Sequence, residues 1–230
     1  MKKINRTWKS LLFSMLVVPL MITSAFAAVP VPTFYMDMDV NTAGIQDTIV
    51  LSGPVSLTTA LGMLIPDSAS LGDVFAFDLA LNWENTEMSF VSRSLKSIAK
   101  QDGSTQASAG CGATVGSTMN SCAWFSQDAP FVSGNYTLMT INWNVNNPVT
   151  DSFFDVFPEM KQGNSVQVGQ FTVDGDGIYT MDTFNSINPN LQGGKINIAA
   201  APPVVPEPIS SALFIVGGVV LGARRLLKKK

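Results

Sequence analysis

The chain has 230 residues, 46% of them hydrophobic and 13% charged, which is enough for one or two domains with a sizeable core. Its formal net charge is −3, but residues 28–208 hold five basic and 17 acidic residues, a net charge of −12. A surface this acidic repels phosphate backbones, so nucleic acid is excluded as the expected partner. The chain has no histidine, which excludes Ser-His-Asp and Cys-His catalysis and the usual zinc sites.

The first 27 residues have the pattern of a secretory signal peptide. Residues 1–10 are basic and residues 11–23 are apolar; Ala25 and Ala27 then place small residues where a signal peptidase requires them. We expect signal peptidase to cleave between Ala27 and Ala28. The alternative, a retained N-terminal anchor, fits less well because the uncharged run is short for a membrane span.

Residues 28–199, the predicted ectodomain, show many short segments with strand periodicity. The clearest is Val74–Trp83, whose predicted inward-facing residues are Phe75, Phe77, Leu79, Leu81 and Trp83. Leu138–Val145 repeats the alternation, with Met139, Ile141, Trp143 and Val145 inward. Further predicted strands are Phe34–Asp39, Ile49–Leu51, Val55–Thr58, Ser152–Phe157, Val166–Val173, Ile178–Met181 and Lys195–Ile198. Short strands separated by turn residues predict an all-β fold, an antiparallel β-sandwich.

The order of these segments resembles the jelly-roll group that contains cohesins and type 2 and 3 carbohydrate-binding modules. The stretch Gly72–Phe90 is similar to the cohesin pattern of a Gly-Asp pair, an alternating strand, a polar turn and an apolar end. Thr137–Val145 resembles a later strand of that fold, and Gly194–Ile198 its closing strand. The resemblance covers about 130 residues. Known members of the fold bind dockerin modules or polysaccharide, so it implies a non-enzymatic module that binds a protein or a polysaccharide, although the dockerin partner does not carry over because this sequence has no obvious dockerin.

The chain has two cysteines, Cys111 and Cys122, beside a Gly/Ser/Thr-rich loop at Gln101–Ser121. Because an exported chain folds in an oxidising compartment, we predict a disulfide between them. A reactive thiol pair is the alternative, and it needs a basic setting that the sequence does not show. Trp124 follows this loop, beside Phe125. It is predicted either to be exposed, as a stacking surface for sugar rings, or to pack on the disulfide.

Three pairs of carboxylates stand out, at Asp37/Asp39, Glu84/Glu87 and Asp174/Asp176. A glycosidase needs two carboxyl groups facing each other across a cleft, which a sequence alone does not show. The segment Asp174-Gly175-Asp176-Gly177 suggests a weak Ca²⁺ site. An EF-hand loop starting at Asp174 fails, because Tyr179 stands where glycine is required and Asn185 where glutamate is required. A hairpin turn is the competing interpretation. No other cofactor and no catalytic residue is predicted.

The C-terminal end has the pattern of a membrane anchor. Residues 200–205 form a Pro/Ala linker, and an apolar segment follows at Ile209–Ala223. A helix over residues 209–227 would be about 28 Å long, close to the roughly 30 Å hydrocarbon core. A basic cluster follows as a stop-transfer signal and is expected to stay cytoplasmic. Its members are Arg224, Arg225, Lys228, Lys229 and Lys230.

Residues 206–230 resemble the PEP-CTERM sorting signal of Gram-negative bacteria. The resemblance lies in the order Pro206-Glu207-Pro208, short apolar helix and basic end at the C-terminus, although lysines follow the two arginines here. It implies that the chain is a substrate of exosortase, a membrane-embedded cysteine protease-transpeptidase, and that its export accompanies exopolysaccharide production. A plain single-pass anchor with a Pro-rich stalk is the alternative.

The sequence thus predicts an exported Gram-negative envelope protein. It would be held in the inner membrane by the C-terminal helix with its ectodomain in the periplasm, and then be sorted to the cell surface or released. The expected function is non-enzymatic binding of a protein or a polysaccharide in a biofilm matrix. The alternative function is a secreted polysaccharide hydrolase.

Overall fold

The computed structural model describes residues 30–67, 72–161 and 165–200. These residues form strands and loops, with no helix among them. The strands of the first half are β1 (Thr33–Asp37), β2 (Thr48–Leu51), β3 (Val55–Ile65), β4 (Asp73–Trp83), β5 (Met88–Leu95), β6 (Ile98–Ala99), β7 (Thr105–Gln106) and β8 (Gly110–Cys111). Those of the second half are β9 (Thr114–Val115), β10 (Thr118–Phe125), β11 (Gly134–Val145), β12 (Val156–Met160), β13 (Val166–Val173), β14 (Tyr179–Ile187), β15 (Asn190–Gln192) and β16 (Lys195–Ile198).

Two sheets carry most of these strands. One has five strands in the order β15-β1-β3-β11-β5. The other has seven, in the order β14-β13-β4-β10-β8, with β12 also paired to β4 and β9 to β10. The ladders are antiparallel except for β1–β15 and β2–β16, which are parallel. The predicted all-β fold is therefore confirmed, while the prediction of a purely antiparallel arrangement is wrong at these two pairs.

The two sheets pack face to face through large apolar side chains, which makes the fold a β-sandwich. Phe34 of the five-stranded sheet lies 5.2 Å from Phe77 of the seven-stranded sheet, between ring centroids. Trp83 and Trp143 meet across the same interface at 5.3 Å. Trp143 is fully buried and donates its indole N–H to the Thr59 hydroxyl at 2.9 Å, so its one polar group is satisfied in the core.

A β-bulge in β4 changes the face of one predicted core residue. Ala76 lies opposite Gln167 and Val74 lies opposite Val168, so β4 has one extra residue, Phe75, at this point. Val74 and Phe77 belong to the central core cluster, whereas Phe75 does not. The alternation predicted from Phe77 to Trp83 is confirmed, and the inward position predicted for Phe75 is wrong.

Several strand boundaries also differ from the predictions. β3 continues to Ile65, seven residues beyond the predicted end at Thr58, and passes Gly62, over which the Tyr35 ring packs. The strand predicted to begin at Ser152 begins at Val156 instead. The four inward-facing residues predicted for β11 are all buried. Among the described residues no helix is long and apolar enough to cross a membrane.

Candidate functional site

Phe75 forms the centre of an aromatic cluster on the outer side of the seven-stranded sheet. Its ring lies 6.3 Å from that of Phe125 on β10 and 5.9 Å from that of Phe171 on β13, between centroids. Phe75 itself is only 5% exposed, because the other two rings cover it, while Phe125 is 44% exposed. The bulge that turns Phe75 away from the core thus gives this sheet an apolar outer surface.

The hairpin formed by β13 and β14 extends this surface. Met181 lies directly opposite Phe171, and Phe184 lies opposite Gly169; cross-strand partners share one face of a sheet. Phe184 is 64% exposed, and most of β14 is exposed along its length. A β-carbon at Gly169 would lie 2.9 Å from the Thr183 carbonyl oxygen and 3.3 Å from the Phe171 ring. We call this surface the aromatic face; it consists of Phe75, Phe125, Phe171, Met181 and Phe184.

Two shallow depressions border the aromatic face. One, of about 320 Å³, lies beside Phe171 and is edged by the carboxyls of Asp73 and Asp182. The other, of about 220 Å³, lies beside Phe125 and is edged by Gln167. An apolar centre with a polar edge is the usual anatomy of a protein-binding surface.

Of the two environments predicted for Trp124, the exposed one is wrong, because the side chain lies in the core cluster that also contains Cys122. It is fully buried and stacks on Phe77 with ring centroids 5.2 Å apart and planes 22° apart. Its indole N–H donates to the Lys96 carbonyl at 3.1 Å. The exposed aromatic of this strand is its neighbour Phe125, since alternate residues of a strand point to opposite faces.

The predicted disulfide is present between Cys111 of β8 and Cys122 of β10, which lie directly opposite each other. It fixes the short edge strand β8 to the sheet that carries the aromatic face. The guanidinium of Arg93 donates to the carbonyl oxygens of Cys111 and Gly112 at 3.1 and 3.3 Å, which ties this edge to β5 of the other sheet.

Asp174 and Asp176 lie in the turn of the β13–β14 hairpin. One oxygen of the Asp174 carboxylate accepts hydrogen bonds from the backbone N–H groups of Asp176 and Ile178, at 3.0 and 2.8 Å. This is the Asx-turn geometry expected of a hairpin. Among residues 30–67, 72–161 and 165–200, no three Asp, Glu, Cys or His side chains are grouped as metal ligands. Calcium binding stays a prediction.

The carboxylate pairs predicted from sequence do not form a cleft, but one of their members meets a distant acid. Glu87 and Asp155 are each 5% exposed, and their carboxyl groups are hydrogen-bonded to each other. Burial, the hydrogen bond and charge of Glu87, and the charge of Asp151 raise the pKa of Asp155 to about 7, although the Ile196 N–H lowers it. The two carboxyls are too close and too enclosed for the roughly 5–9 Å separation of a glycosidase pair.

This acid pair joins the loop after β11 to the last strand. A Glu87 carboxylate oxygen accepts from the Val149 N–H at 2.9 Å, and an Asp155 oxygen accepts from the Ile196 N–H at 2.6 Å. The Thr150 hydroxyl accepts from the Ile198 N–H at 2.7 Å. Side chains therefore accept hydrogen bonds from the backbone N–H groups of β16 that point away from β2. No local pattern indicates this contact, because Glu87 and Asp155 are 68 positions apart in the chain.

The remaining predicted site residues lie outside the described residues. They are the cleavage-site residues Ala25, Ala27 and Ala28, the motif Pro206, Glu207 and Pro208, and the basic residues Arg224, Arg225, Lys228, Lys229 and Lys230. Signal cleavage, sorting and membrane insertion stay predictions.

No protein-family model and no curated protein matches the chain. Solved structures that it resembles are cohesin modules. For the seventh ScaB type I cohesin from Pseudobacteroides cellulosolvens the identity is 12% and the TM-score 0.44, over 76% of this chain and 96% of that chain. For the sixth cohesin of scaffoldin B from Acetivibrio cellulolyticus the values are 11% and 0.41, over 73% and 99%. For the cohesin module of a Clostridium perfringens family 33 glycoside hydrolase they are 10% and 0.41, over 74% and 99%.

Proposed function

We propose that this chain is an exported, membrane-anchored surface protein, without catalytic activity, whose β-sandwich binds a protein partner through the aromatic face. The observation that carries the proposal is the exposure of that face: Phe184, Phe125 and Met181 are 64%, 44% and 42% exposed. Phe125 and Phe171 pack on the buried Phe75, and the β13–β14 hairpin places Met181 opposite Phe171 and Phe184 opposite Gly169. Contiguous exposed apolar surface of this kind marks an interaction site.

The chemistry of the face favours a protein over a polysaccharide. Its exposed side chains are Phe and Met, which lack the hydroxyl or indole N–H that would hydrogen-bond a sugar. The ring planes of Phe125 and Phe171 are inclined by 60° and 73° to that of Phe75, so they do not form one flat platform for a sugar chain. Apolar side chains of a protein partner would fill the depressions between such rings.

Export and anchoring rest on the two ends of the sequence and on the cysteines. The Cys111–Cys122 disulfide is consistent with an oxidising, extracytoplasmic compartment. The resemblance of residues 206–230 to a PEP-CTERM signal supports exosortase as the processing partner and an exopolysaccharide matrix as the setting. The hydrolase alternative has no support from the Glu87–Asp155 pair, which is buried and in direct contact.

The binding proposal is tested in the native host by site-specific photo-crosslinking. A photoreactive amino acid replaces Phe184, and a matched control replaces Val91, which is 52% exposed on the other sheet. We expect a discrete protein adduct from position 184 and none from position 91, and we expect Phe125→Ser to weaken the adduct from 184. Equal adducts from both positions, or no adduct from 184, would contradict the proposal. Binding of purified matrix polysaccharide that Phe184→Ser abolishes would favour a carbohydrate ligand instead.

The sorting proposal is tested by intact-mass spectrometry of membrane and medium fractions from hosts with and without exosortase. We expect the C-terminus to be cut near Pro206–Pro208 only where exosortase is present. If both hosts retain the full C-terminal segment, the segment is a plain single-pass anchor, and its assignment as a PEP-CTERM sorting signal is refuted.

A further inference from the structure

A second aromatic cluster lies away from the aromatic face, where the last strand begins. Phe153 is 73% exposed and Phe154 is 48% exposed. Phe154 stacks on Phe157 with ring centroids 5.6 Å apart, and the Lys195 ammonium lies 5.1 Å from the centre of the Phe154 ring. We call this cluster the Phe153 corner; it consists of Phe153, Phe154, Phe157 and Lys195.

Hydrogen bonds and close packing hold the backbone of the corner in a conformation that exposes Phe153 and Phe154. The Phe153 N–H donates to the Asp151 carboxylate at 2.7 Å, and this Asx turn fixes the backbone that presents the most exposed large apolar side chain among the described residues. The Phe154 ring covers Gly193 so closely that a β-carbon there would lie 2.5 Å from it. The Lys195 ammonium also donates to the Ser152 carbonyl at 3.0 Å.

The position of the corner relative to the end of the domain indicates what covers it. Thr150, three residues before Phe153, hydrogen-bonds to Ile198 of β16, so Phe153 lies within about 10 Å, along the chain, of the strand that leads to the anchor. From Ala200 to Ile209, where the apolar segment begins, there are nine residues, four of them proline. Fully extended, these nine residues reach about 30 Å. This tether keeps the end of the domain that carries the corner within about that distance of the surface the anchor occupies.

From this geometry we infer that the Phe153 corner rests on the lipid surface, with Phe153 and Phe154 inserted into the headgroup region beside the membrane anchor. The inference rests on the anchoring put forward under the proposed function. Aromatic rings with a lysine whose stem lies along them are typical of contacts with the membrane interface. Lys195 and Asp151 leave the corner close to neutral, so the contact depends on apolar burial and is insensitive to salt.

This orientation leaves the aromatic face free for its partner. Phe157 pairs with Asn82 near one end of β4, whereas Phe75 lies near the other end. The seven steps from position 75 to position 82 separate the two clusters by about 23 Å along the strand. A domain that rests on the bilayer through the corner with β4 steeply inclined to the membrane would hold the aromatic face about that far from the lipid.

The test uses the full chain in vesicles of phosphatidylethanolamine and phosphatidylglycerol. Phe153→Cys carries an environment-sensitive fluorophore, and Phe184→Cys, with 64% exposure, is the matched control. The native cysteines do not compete for the label because they are joined in the disulfide. We expect blue-shifted emission and several-fold stronger quenching by spin-labelled lipids at position 153 than at 184, unchanged in high salt and weakened by Phe154→Ser.

Two failures are distinguishable in this experiment. If the chain does not float with the vesicles, anchoring fails and the inference fails with it. If the chain floats but position 153 is quenched no more than position 184, anchoring stands and the lipid contact of the corner is refuted.

Discussion

The buried pair Glu87 and Asp155 predicts an unusual dependence of stability on pH. Unfolded, Asp155 has the ordinary aspartate pKa of 3.8; folded, its pKa is raised to about 7. Between these two values the folded chain holds a proton that the unfolded chain has released. The free energy of unfolding therefore falls as the pH rises from about 4 to about 7, and it levels off above that range.

The size of this effect follows from the shift in the pKa of Asp155. A shift of about three units at about 1.4 kcal/mol per unit gives an upper limit of about 4 kcal/mol. Because the Ile196 N–H stabilises the ionised form of Asp155, we expect about 2 to 4 kcal/mol. Asp155→Asn keeps an acceptor for the Ile196 N–H and gives Glu87 a donor, without a proton that titrates. This variant should be more stable than the wild type at pH 7.5 and about equal to it at pH 4.5.

The assay is urea unfolding of residues 28–199 between pH 4.5 and 8, followed by the fluorescence of the buried tryptophans. Asp151→Asn is the matched control, since it lies in the same loop, keeps an acceptor for the Phe153 N–H and should leave the pH slope nearly unchanged. A wild-type stability that is flat or rises between pH 4.5 and 7, or an Asp155→Asn variant that keeps the wild-type slope, would refute the reasoning.

Three further predictions concern stability, each measured by the same unfolding assay. Replacing Cys111 and Cys122 together by serine removes a crosslink that closes a short loop, which should cost about 2 to 3 kcal/mol and abolish the effect of reductant on the midpoint. Trp143→Ala empties the centre of the interface between the two sheets and should cost about 3 to 5 kcal/mol, whereas Trp143→Phe should cost clearly less. Gly62→Ala should be destabilising, because the new methyl group would overlap the Tyr35 ring, and Gly62→Ala combined with Tyr35→Leu should recover part of the loss.

Each of these predictions has a result that would contradict it. A double serine variant as stable as the oxidised wild type would contradict the cost assigned to the lost crosslink. Equal losses for the alanine and phenylalanine variants at position 143 would mean that the indole N–H, and not the volume of the ring, dominates. A neutral Gly62→Ala would show that the Tyr35 ring moves aside without cost.

Periodicity in the sequence predicted correctly which residues of the central strands face the core. It failed where the backbone departs from regular strand pairing. From Phe77 to Trp83 the alternation holds, because β4 pairs regularly with β12 over Leu79–Trp83 and the irregularity in its pairing with β10 places the extra residue in β10. Phe75 was misplaced because a bulge is set by the partner strand, which a local pattern does not contain. The exposed position predicted for Trp124 was wrong for a related reason: the ring is covered by Phe77, 47 positions away.

The candidate site could not be predicted from the sequence, because it too depends on contacts between distant parts of the chain. The aromatic face joins Phe75 of β4 and Phe125 of β10 to Phe171 and Phe184 of the β13–β14 hairpin, three regions that are far apart in the chain. None of these residues stands in a motif, since exposed apolar side chains on a sheet have no characteristic spacing. The disulfide, in contrast, was predictable, because two cysteines in a chain predicted to be exported leave one pairing.

The parallel pairing of β2 and β16 has a mechanical consequence for an anchored protein. The ladder runs from Lys195 opposite Thr48 to Ile198 opposite Leu51, and the Ala199 N–H adds a bond to the Leu51 carbonyl at 2.8 Å. A pull on the chain beyond Ala200 acts along the axis of β16, so it loads these hydrogen bonds in shear and strains them together instead of opening them one at a time. The last strand would then act as a clamp, transmitting tension between a bound partner and the membrane while the sandwich stays folded.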